Sequence, residues 1–505
     1  MSRVWKLGLL ALVITSMVWL TTLWRWQITA RDVGQQDIVM HLLVLPLALL
    51  LALWLAIRLG GQVRRQLQEP AVKPAAKDRA IDLAAQASPA VDPVQPWDVV
   101  LLGSEVCLMP GDQAPEVAQQ VRDRRVWPRL DASLTDFNGL PVFTARVPEL
   151  DHEVTHEACP EHSMRAWRLM ARVWQPLAER ILETRWQPGW RADDQHQASC
   201  EHPAGPAHLA GVGRERQHLR EAVRPRMTVA VVLPEHTPQA WQDRCLAQVQ
   251  STWAGLLDEE EATVPWQMDW VGWMEPTPQA VWARIEHTVR AWSGTTSQGP
   301  SRSLVVLAAD SAVDDSCIEQ WQGRGELFTS QHQQGRVPGE GAVALWWCRT
   351  DWPGAGAPAL PLVRVMPPMT RSRERSADVP GRVGRAVLQA CIADAMAPID
   401  PNVDWLVFSD ADHRASRTSE LFEALTEVAP DLDPMQAVHR VGDVCGDLGL
   451  CAGLAPLALA EGVIRDRLLS GNNSRESSAA ALVVSVQSPI HRMALALVPE
   501  PVKQP

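Results

Sequence analysis

The chain has 505 residues, 46% of them hydrophobic, and a formal net charge of -12 at pH 7. This length is sufficient for a domain of several hundred residues with its own core and for a smaller second part. The acidic balance argues against a nucleic-acid partner. Nine cysteines without regular spacing do not form a disulfide framework, which agrees with a reducing compartment.

Two apolar stretches lie near the start of the chain, at 7–24 and 38–57, and neither contains Asp, Glu, Lys or Arg. Each has the length that a helix needs to cross a bilayer, so the sequence predicts a two-span membrane anchor over 1–65. A cleaved signal peptide is the alternative for the first stretch, but no small-residue cleavage site follows it.

Basic residues precede the first predicted span and follow the second, whereas the loop between the spans carries no net charge. The positive-inside rule then places both termini in the cytoplasm. Arginine greatly outnumbers lysine, which is typical of a GC-rich bacterial genome. We therefore expect a multi-pass protein of the bacterial inner membrane, with its soluble domain in the cytoplasm.

Residues 66–96 are rich in Ala, Pro and Gln and contain no aromatic residue, which predicts a linker. Beyond it, short apolar runs alternate with longer helical patterns. Strands are predicted at 97–106, 227–234, 268–273, 303–311, 342–347 and 404–410, and helices at 114–124, 166–187, 238–257, 278–292 and 381–396. This alternation indicates a layered α/β fold.

The stretch 352–380 contains six prolines and interrupts the alternation, which resumes behind it. We therefore divide the soluble part into two similar halves, 97–350 and 351–505, although no residue-level repeat is visible. Residues 186–226 carry many charges and prolines and are interpreted as a surface excursion.

The turn of Gly339, Glu340 and Gly341 directly precedes the apolar run 342–347. Glycine permits backbone conformations that are closed to other residues and lets the chain pass close to a neighbour. A carboxylate in such a turn can accept hydrogen bonds from backbone amides. We therefore expect Glu340 to have a structural rather than a catalytic role.

Together with the strand-helix pattern of 304–315, this turn resembles the β-ketoacyl synthase family of the thiolase fold. Further segments follow in the order of that family, at 98–113, 137–151, 404–425, 438–460 and 481–498. The resemblance implies a five-layer α/β/α/β/α domain, here preceded by two transmembrane helices. It also implies a homodimer, with the strand 303–311 expected at the dimer edge.

The resemblance fails at the catalytic groups. Active members use a cysteine at a helix N-terminus together with two histidines, or a histidine and an asparagine. The corresponding segment 268–285 has no cysteine, and Gly442-Asp443 replaces a Gly-His pair. His413 lies where the first histidine loop belongs, but Arg414 follows it instead of threonine, so an exposed or salt-bridged His413 is expected.

Because it lacks these catalytic groups, the chain resembles degenerate synthase-like proteins associated with bacterial type VI secretion clusters. This resemblance implies a membrane-anchored, catalytically inactive scaffold or adaptor that needs no cofactor. The expected protein partner is a secretion component, an effector or an acyl-carrier protein.

Two alternatives stay open. The first is an acyltransferase or acyl-carrier-binding enzyme that uses a relocated cysteine, Cys445 or Cys451, with His413 or His439 as the base. The second is a metal site, because irregularly spaced histidines and cysteines flank the helical pattern 166–187. Its candidate ligands are His152, His156, Cys159, His162, His196, Cys200 and His202.

Overall fold

A computed structural model describes most of the chain from Trp97 to Glu500. The described residues are 97–147, 150, 161–184, 225–235, 237–259, 264, 266–293, 301–350, 352, 362–379, 381, 383–400, 403–470 and 479–500. The two predicted spans, the predicted linker and most of 186–226 lie outside them. Within the described residues, no helix combines the length and the apolar character of a membrane span.

The described residues of the first half form seven strands and five helices. In chain order they are β1 (Val100–Leu108), α1 (Ala114–Asp123), β2 (Arg129–Thr135), β3 (Pro141–Thr144), α2 (Glu161–Glu183), β4 (Arg226–Pro234), α3 (Gln239–Glu259), β5 (Gln267–Glu275), α4 (Pro278–Ser293), β6 (Arg302–Ser311), α5 (Asp315–Arg324) and β7 (Glu340–Cys348).

The second half follows the same plan. Its elements are β8 (Val363–Val365), β9 (Met369–Ser372), α6 (Ala386–Met396), β10 (Asp404–Ser409), α7 (Ala415–Val428), α8 (Pro434–Ala437), β11 (Val438–Arg440), α9 (Val441–Cys445), a 3-10 turn (Gly449–Cys451), α10 (Leu454–Leu469), β12 (Ala479–Ser485) and β13 (His491–Pro499).

The two halves repeat one sheet topology. The first has the strand order β5-β4-β6-β7-β1 and the second has β11-β10-β12-β13-β8. In both orders the first two pairs are parallel, and the second-to-last strand is antiparallel to its neighbours. β1 and β8 pair antiparallel and join the halves. The topology thus shows a duplication that the sequence no longer displays residue by residue.

Three apolar cores separate the layers. The first lies between the two halves and contains α1, α4 and α10. The second lies between the outer face of the first half and the helices α2 and α3. The third lies under α6 and α7 on the second half. Strands with helices on both faces are apolar throughout; in β6, Leu304 and Val306 face the first core, whereas Val305 and Leu307 face the second.

The layered α/β fold is therefore confirmed, and its layer order is the thiolase-like arrangement that the resemblance implies. Two details differ from the sequence-based expectations. The helix predicted from 381 begins at Ala386. The strand 303–311, expected at a dimer edge, is β6, which lies inside the sheet between β4 and β7. The strand at the edge of the first half is β5.

Candidate functional site

The region that corresponds to the family's catalytic histidines lies at the carboxyl ends of β10 and β12. Asp410 directly follows β10 and is buried. Its carboxylate accepts hydrogen bonds from Ser485 Oγ at 2.5 Å and from the backbone N–H groups of Val486 at 2.6 Å and Gln487 at 3.2 Å. Burial raises the pKa of Asp410 to about 6, although these hydrogen bonds oppose the shift. Asp410 thus ties the ends of two strands together.

The acidic loop behind β10 is neutralised by its own arginines. Asp412 lies 2.7 Å from Nη2 of Arg414, and both side chains are buried. Arg417, which is also buried, donates from Nη2 to Asp378 Oδ1 at 2.6 Å. The Asp412 carboxylate is therefore held inside the protein by Arg414, whereas Arg417 reaches a carboxylate that is half exposed.

His413 is partly buried, and its ring meets Phe328 edge-on with 4.9 Å between the ring centroids. Phe328 contacts Phe143 in the same manner at 5.7 Å. The Nε2 atom of His413 is buried and has no hydrogen-bond partner among the described residues. No ion pair joins His413 to another described residue, so the prediction of an exposed or salt-bridged side chain is wrong.

Gly442 and Asp443 lie in the short helix α9. A side chain at Gly442 would collide with the carbonyl oxygen of Asp410, which explains the glycine. Asp443 pairs with Nη2 of Arg440 at 2.6 Å. Burial raises the pKa of Asp443, and the Arg440 charge opposes that shift. Where the resemblance implies a histidine, this chain therefore has a carboxylate paired with Arg440.

Neither candidate thiol is in a reactive setting. Cys445 and Cys451 are both buried. Burial raises the pKa of Cys445 to about 12 and that of Cys451 well above its usual value. Cys451 Sγ also donates to the carbonyl oxygen of Gly341 at 3.4 Å. Reactive cysteines have lowered pKa values and some exposure, so these two thiols lack both requirements.

His439, the other candidate base, is held as a neutral ring. It is buried, stacks on Phe408 at 4.3 Å between centroids, and its Nδ1 lies 3.2 Å from the carbonyl oxygen of Val407. Burial lowers its pKa to about 4, and the hydrogen bonds to backbone carbonyls oppose this shift. These contacts are those of a core residue.

The space between these groups is closed. A depression remains between α9, the start of α10 and the ends of β10 and β12, but it leaves no room for a water molecule. It is lined by Asp410, Val441, Gly442, Gly446, Leu448, Ala452 and Gln487. An acyl chain cannot enter here without movement of these residues.

The position expected for a nucleophile is the junction of β5 and α4. β5 ends at Glu275 and α4 begins at Pro278. Thr277 lies between them, and its Oγ1 accepts a hydrogen bond from the backbone N–H of Ala280 at 3.2 Å. A threonine therefore caps α4 at the junction where the resemblance implies a nucleophile.

The turn of Gly339 to Gly341 holds a buried ion pair. Glu340 is completely buried and receives two hydrogen bonds from Arg165, at 2.7 Å from Nε and 2.6 Å from Nη2. The backbone N–H of Val147 at 2.7 Å and Ser311 Oγ at 2.9 Å also donate to it. The sequence did not reveal Arg165 as the partner, because 175 residues separate the two.

The glycines of this turn permit close packing between the halves. A Cβ at Gly339 would collide with the carbonyl oxygen of Cys445, and one at Gly341 would lie 2.6 Å from Leu108 Cδ2. Gly339 can therefore accept no larger residue without a shift of the backbone, whereas a larger residue at Gly341 would first displace the Leu108 side chain.

Of the seven candidate metal ligands, only His162 lies within the described residues. It lies near Asp314 and Cys317 at the start of α5. The sequence-based interpretation missed both of these residues, although an aspartate directly before a helix is a recognisable capping signal. The remaining six candidates lie outside the described residues: His152, His156, Cys159, His196, Cys200 and His202.

No family model and no curated protein matches the chain. Among solved structures, the ishigamide ketosynthase/chain length factor is similar at 14% identity, with 79% of this chain aligned to 99% of that chain and a TM-score of 0.44. A type II polyketide ketosynthase in complex with its acyl-carrier protein (AntDE:AntF) is 11% identical; the match covers 79% of this chain and 99% of that chain, with a TM-score of 0.45. The ketosynthase from module 6 of the Bacillus subtilis bacillaene synthase is 10% identical; the match covers 80% of this chain and 72% of that chain, with a TM-score of 0.46.

Proposed function

We propose that this chain is a membrane-anchored, catalytically inactive ketosynthase-like protein that acts as a protein-binding scaffold or adaptor in type VI secretion. The observation that carries the proposal is the closed site at the carboxyl ends of β10 and β12. Its carboxylates are occupied by hydrogen bonds and ion pairs within the chain. The depression between its lining residues leaves no room for a water molecule.

Inactivity is also supported by the chemistry of the candidate groups. A condensing enzyme needs a thiolate and donors that stabilise negative charge on the substrate. Asp443 would repel such charge, and His439 is held as a neutral core residue. The buried thiols of Cys445 and Cys451 do not favour the alternative of an acyltransferase with a relocated cysteine.

A binding role is supported by the exposed face of the β2–β3 hairpin. Five of the nine exposed large hydrophobic residues in the described part of the chain lie in this segment. They are Trp127, Leu130, Phe137, Leu140 and Phe143. The exposed residues Arg124 and Arg129 lie beside it in the chain, and Arg125 there pairs with Asp123 at 2.7 Å. Apolar patches with a charged rim are typical of protein interfaces, and this rim favours a partner with acidic groups around an apolar surface.

The first test is affinity purification of the full-length protein from detergent-solubilised membranes, followed by mass spectrometry. We expect secretion-system subunits to be enriched. The double variant Phe137→Ser, Leu140→Ser should weaken their binding by about tenfold, because buried aromatic and aliphatic contacts dominate interface energies. The control Met435→Ser removes an equally exposed apolar side chain outside the hairpin and should bind normally.

The second test addresses catalysis directly. The full-length protein is incubated with acyl-thioesters, and its intact mass is measured. We expect no covalent adduct. A stable adduct that is lost in Cys445→Ser or Cys451→Ser would contradict the proposal and establish the acyltransferase alternative.

A further inference from the structure

Three side chains with metal-binding atoms converge on the outer side of the first half. His162 lies in the first turn of α2, Asp314 directly precedes α5, and Cys317 lies in the first turn of α5. One ligand atom from each lies within 4.8 Å of those of the other two. The chain therefore brings an imidazole, a carboxylate and a thiol together from positions 152 residues apart.

This cluster is separate from the closed site behind β10 and uses none of its residues. Asp314 is buried, whereas His162 and Cys317 are partly accessible. An ion can therefore reach the cluster from solvent, while the buried carboxylate provides the negative charge on the inner side. Such partial access distinguishes the cluster from the buried polar groups around Asp410.

The three types of donor group in the cluster indicate which metal ion it would bind. Imidazole, carboxylate and thiolate are the three side-chain ligands of zinc in proteins. Magnesium and calcium prefer oxygen ligands alone, and the thiol makes them poor candidates. We propose that His162, Asp314 and Cys317 bind one Zn²⁺ ion, with water in the fourth position.

The geometry requires only a small adjustment. His162 Nδ1 and Asp314 Oδ2 are 2.6 Å apart and share a hydrogen bond. Two donors of a tetrahedral zinc ion, each about 2 Å from the metal, are separated by roughly 3.3 Å. A shift of less than about 1 Å therefore replaces the hydrogen bond by two bonds to the ion. Cys317 binds as the thiolate, and its proton passes to solvent.

Asp314 has a second contact that keeps it in place. Its Oδ1 accepts hydrogen bonds from the backbone N–H of Cys317 at 2.7 Å and from Ser316 Oγ at 2.8 Å. Oδ1 can therefore continue to cap α5 while Oδ2 binds the ion. A bound ion would join the start of α2 to the start of α5, beside the buried pair of Arg165 and Glu340.

The test uses the full-length protein in detergent, stripped of metal with a chelator and then titrated with Zn²⁺ or Co²⁺ alone. We expect one equivalent of Zn²⁺ to bind. Co²⁺ should give the intense visible bands of a tetrahedral site and a near-ultraviolet thiolate-to-cobalt band. Cys317→Ser should abolish the thiolate band, and His162→Gln should weaken Zn²⁺ binding by at least about tenfold.

Two matched variants control for the loss of an imidazole and of a thiol. His332→Gln changes an exposed histidine, and Cys391→Ser changes a thiol buried in the third core. Both should keep the full stoichiometry and the cobalt spectrum. Binding that persists unchanged in Cys317→Ser and His162→Gln would place the metal elsewhere in the chain and overturn the proposal, as would the absence of stoichiometric binding.

Discussion

Glu340 and Arg165 are the residues on which the packing around the glycine turn depends. Both are buried, and their charged groups are 2.6 Å apart. Removing one partner of such a pair leaves an uncompensated charge and typically costs about 3–5 kcal/mol. We expect Glu340→Gln to lower the thermal unfolding midpoint strongly, measured by tryptophan fluorescence of the full-length protein.

The control for this prediction is Glu326→Gln. Glu326 also forms an ion pair with an arginine, Arg336, but its side chain is 40% exposed. Exposed pairs contribute about 0–1 kcal/mol, so the midpoint should change little. Equal shifts in the two variants would show that the buried pair has no special role.

Asp410 gives the fold a predictable pH dependence. Its folded-state pKa of about 6 lies above the usual 3.8 because burial disfavours the charge. Between these pH values the folded chain holds a proton that the unfolded chain has lost. The contribution of Asp410 to the free energy of unfolding is therefore present at low pH and is lost as the pH rises through 6. We expect Asp410→Asn to flatten the decrease of the thermal midpoint between about pH 4.5 and 7.

Part of that decrease should persist in Asp410→Asn. Asp310 near the end of β6 is partly buried, and desolvation raises its pKa to about 6 as well. The control is Glu319→Gln on the exposed face of α5, which should leave the pH profile unchanged. If Asp410→Asn has the same profile as the original protein, Asp410 does not titrate as proposed.

At the scale of elements, the edge of the first half is the feature most relevant to self-association. β5 pairs with β4 on one side and has no strand on the other among the described residues. An unpaired edge is a template for pairing with a second copy, and natural proteins block such edges with lysine. If the expected homodimer forms through β5, Val271→Lys should convert it to a monomer, measured by light scattering coupled to size-exclusion chromatography.

The matched control for the edge is Val126→Lys. Val126 and Val271 are both partly buried and pack against the same central core, but Val126 lies outside the strands. Any general effect of a lysine on the fold should therefore appear in both variants. Dissociation in both, or in neither, would contradict dimerisation through β5.

The elements themselves are largely predictable from the sequence, because periodicity is a local signal. The patterns at 268–273 and 278–292 correspond to β5 and α4. The neighbours of a strand cannot be read from such a local signal. The resemblance led us to expect 303–311 at an edge, whereas β6 pairs with β4 on one side and with β7 on the other. The contact of His162 with Asp314 was missed for the same reason, since no periodicity relates residues so far apart in the chain.

At the scale of the whole molecule, the residues near the closed site also hold the halves together. The backbone N–H of Asp447 donates to the carbonyl oxygen of Val337 at 2.8 Å, and its carboxylate pairs with Arg336 at 2.9 Å. Asp310 of the first half accepts a hydrogen bond from the backbone N–H of Leu450 at 3.0 Å. Groups beside the closed site are thus bound to the opposite half.

The proposed membrane anchor is tested at this same scale. We expect the full-length protein to remain in the inner membrane after carbonate extraction at high pH, because two spans of about 20 residues insert stably. Deletion of 1–65 should release a folded protein whose circular dichroism has lost only the contribution of the two predicted helices, since the three cores lie beyond the anchor. The charge distribution predicts that both termini lie in the cytoplasm. A fluorescent protein fused to the C-terminus should therefore fluoresce, and a phosphatase that folds only in the periplasm should be inactive at the same position. Extraction of the full-length protein by carbonate would contradict the anchor, whereas an active phosphatase would contradict only its orientation.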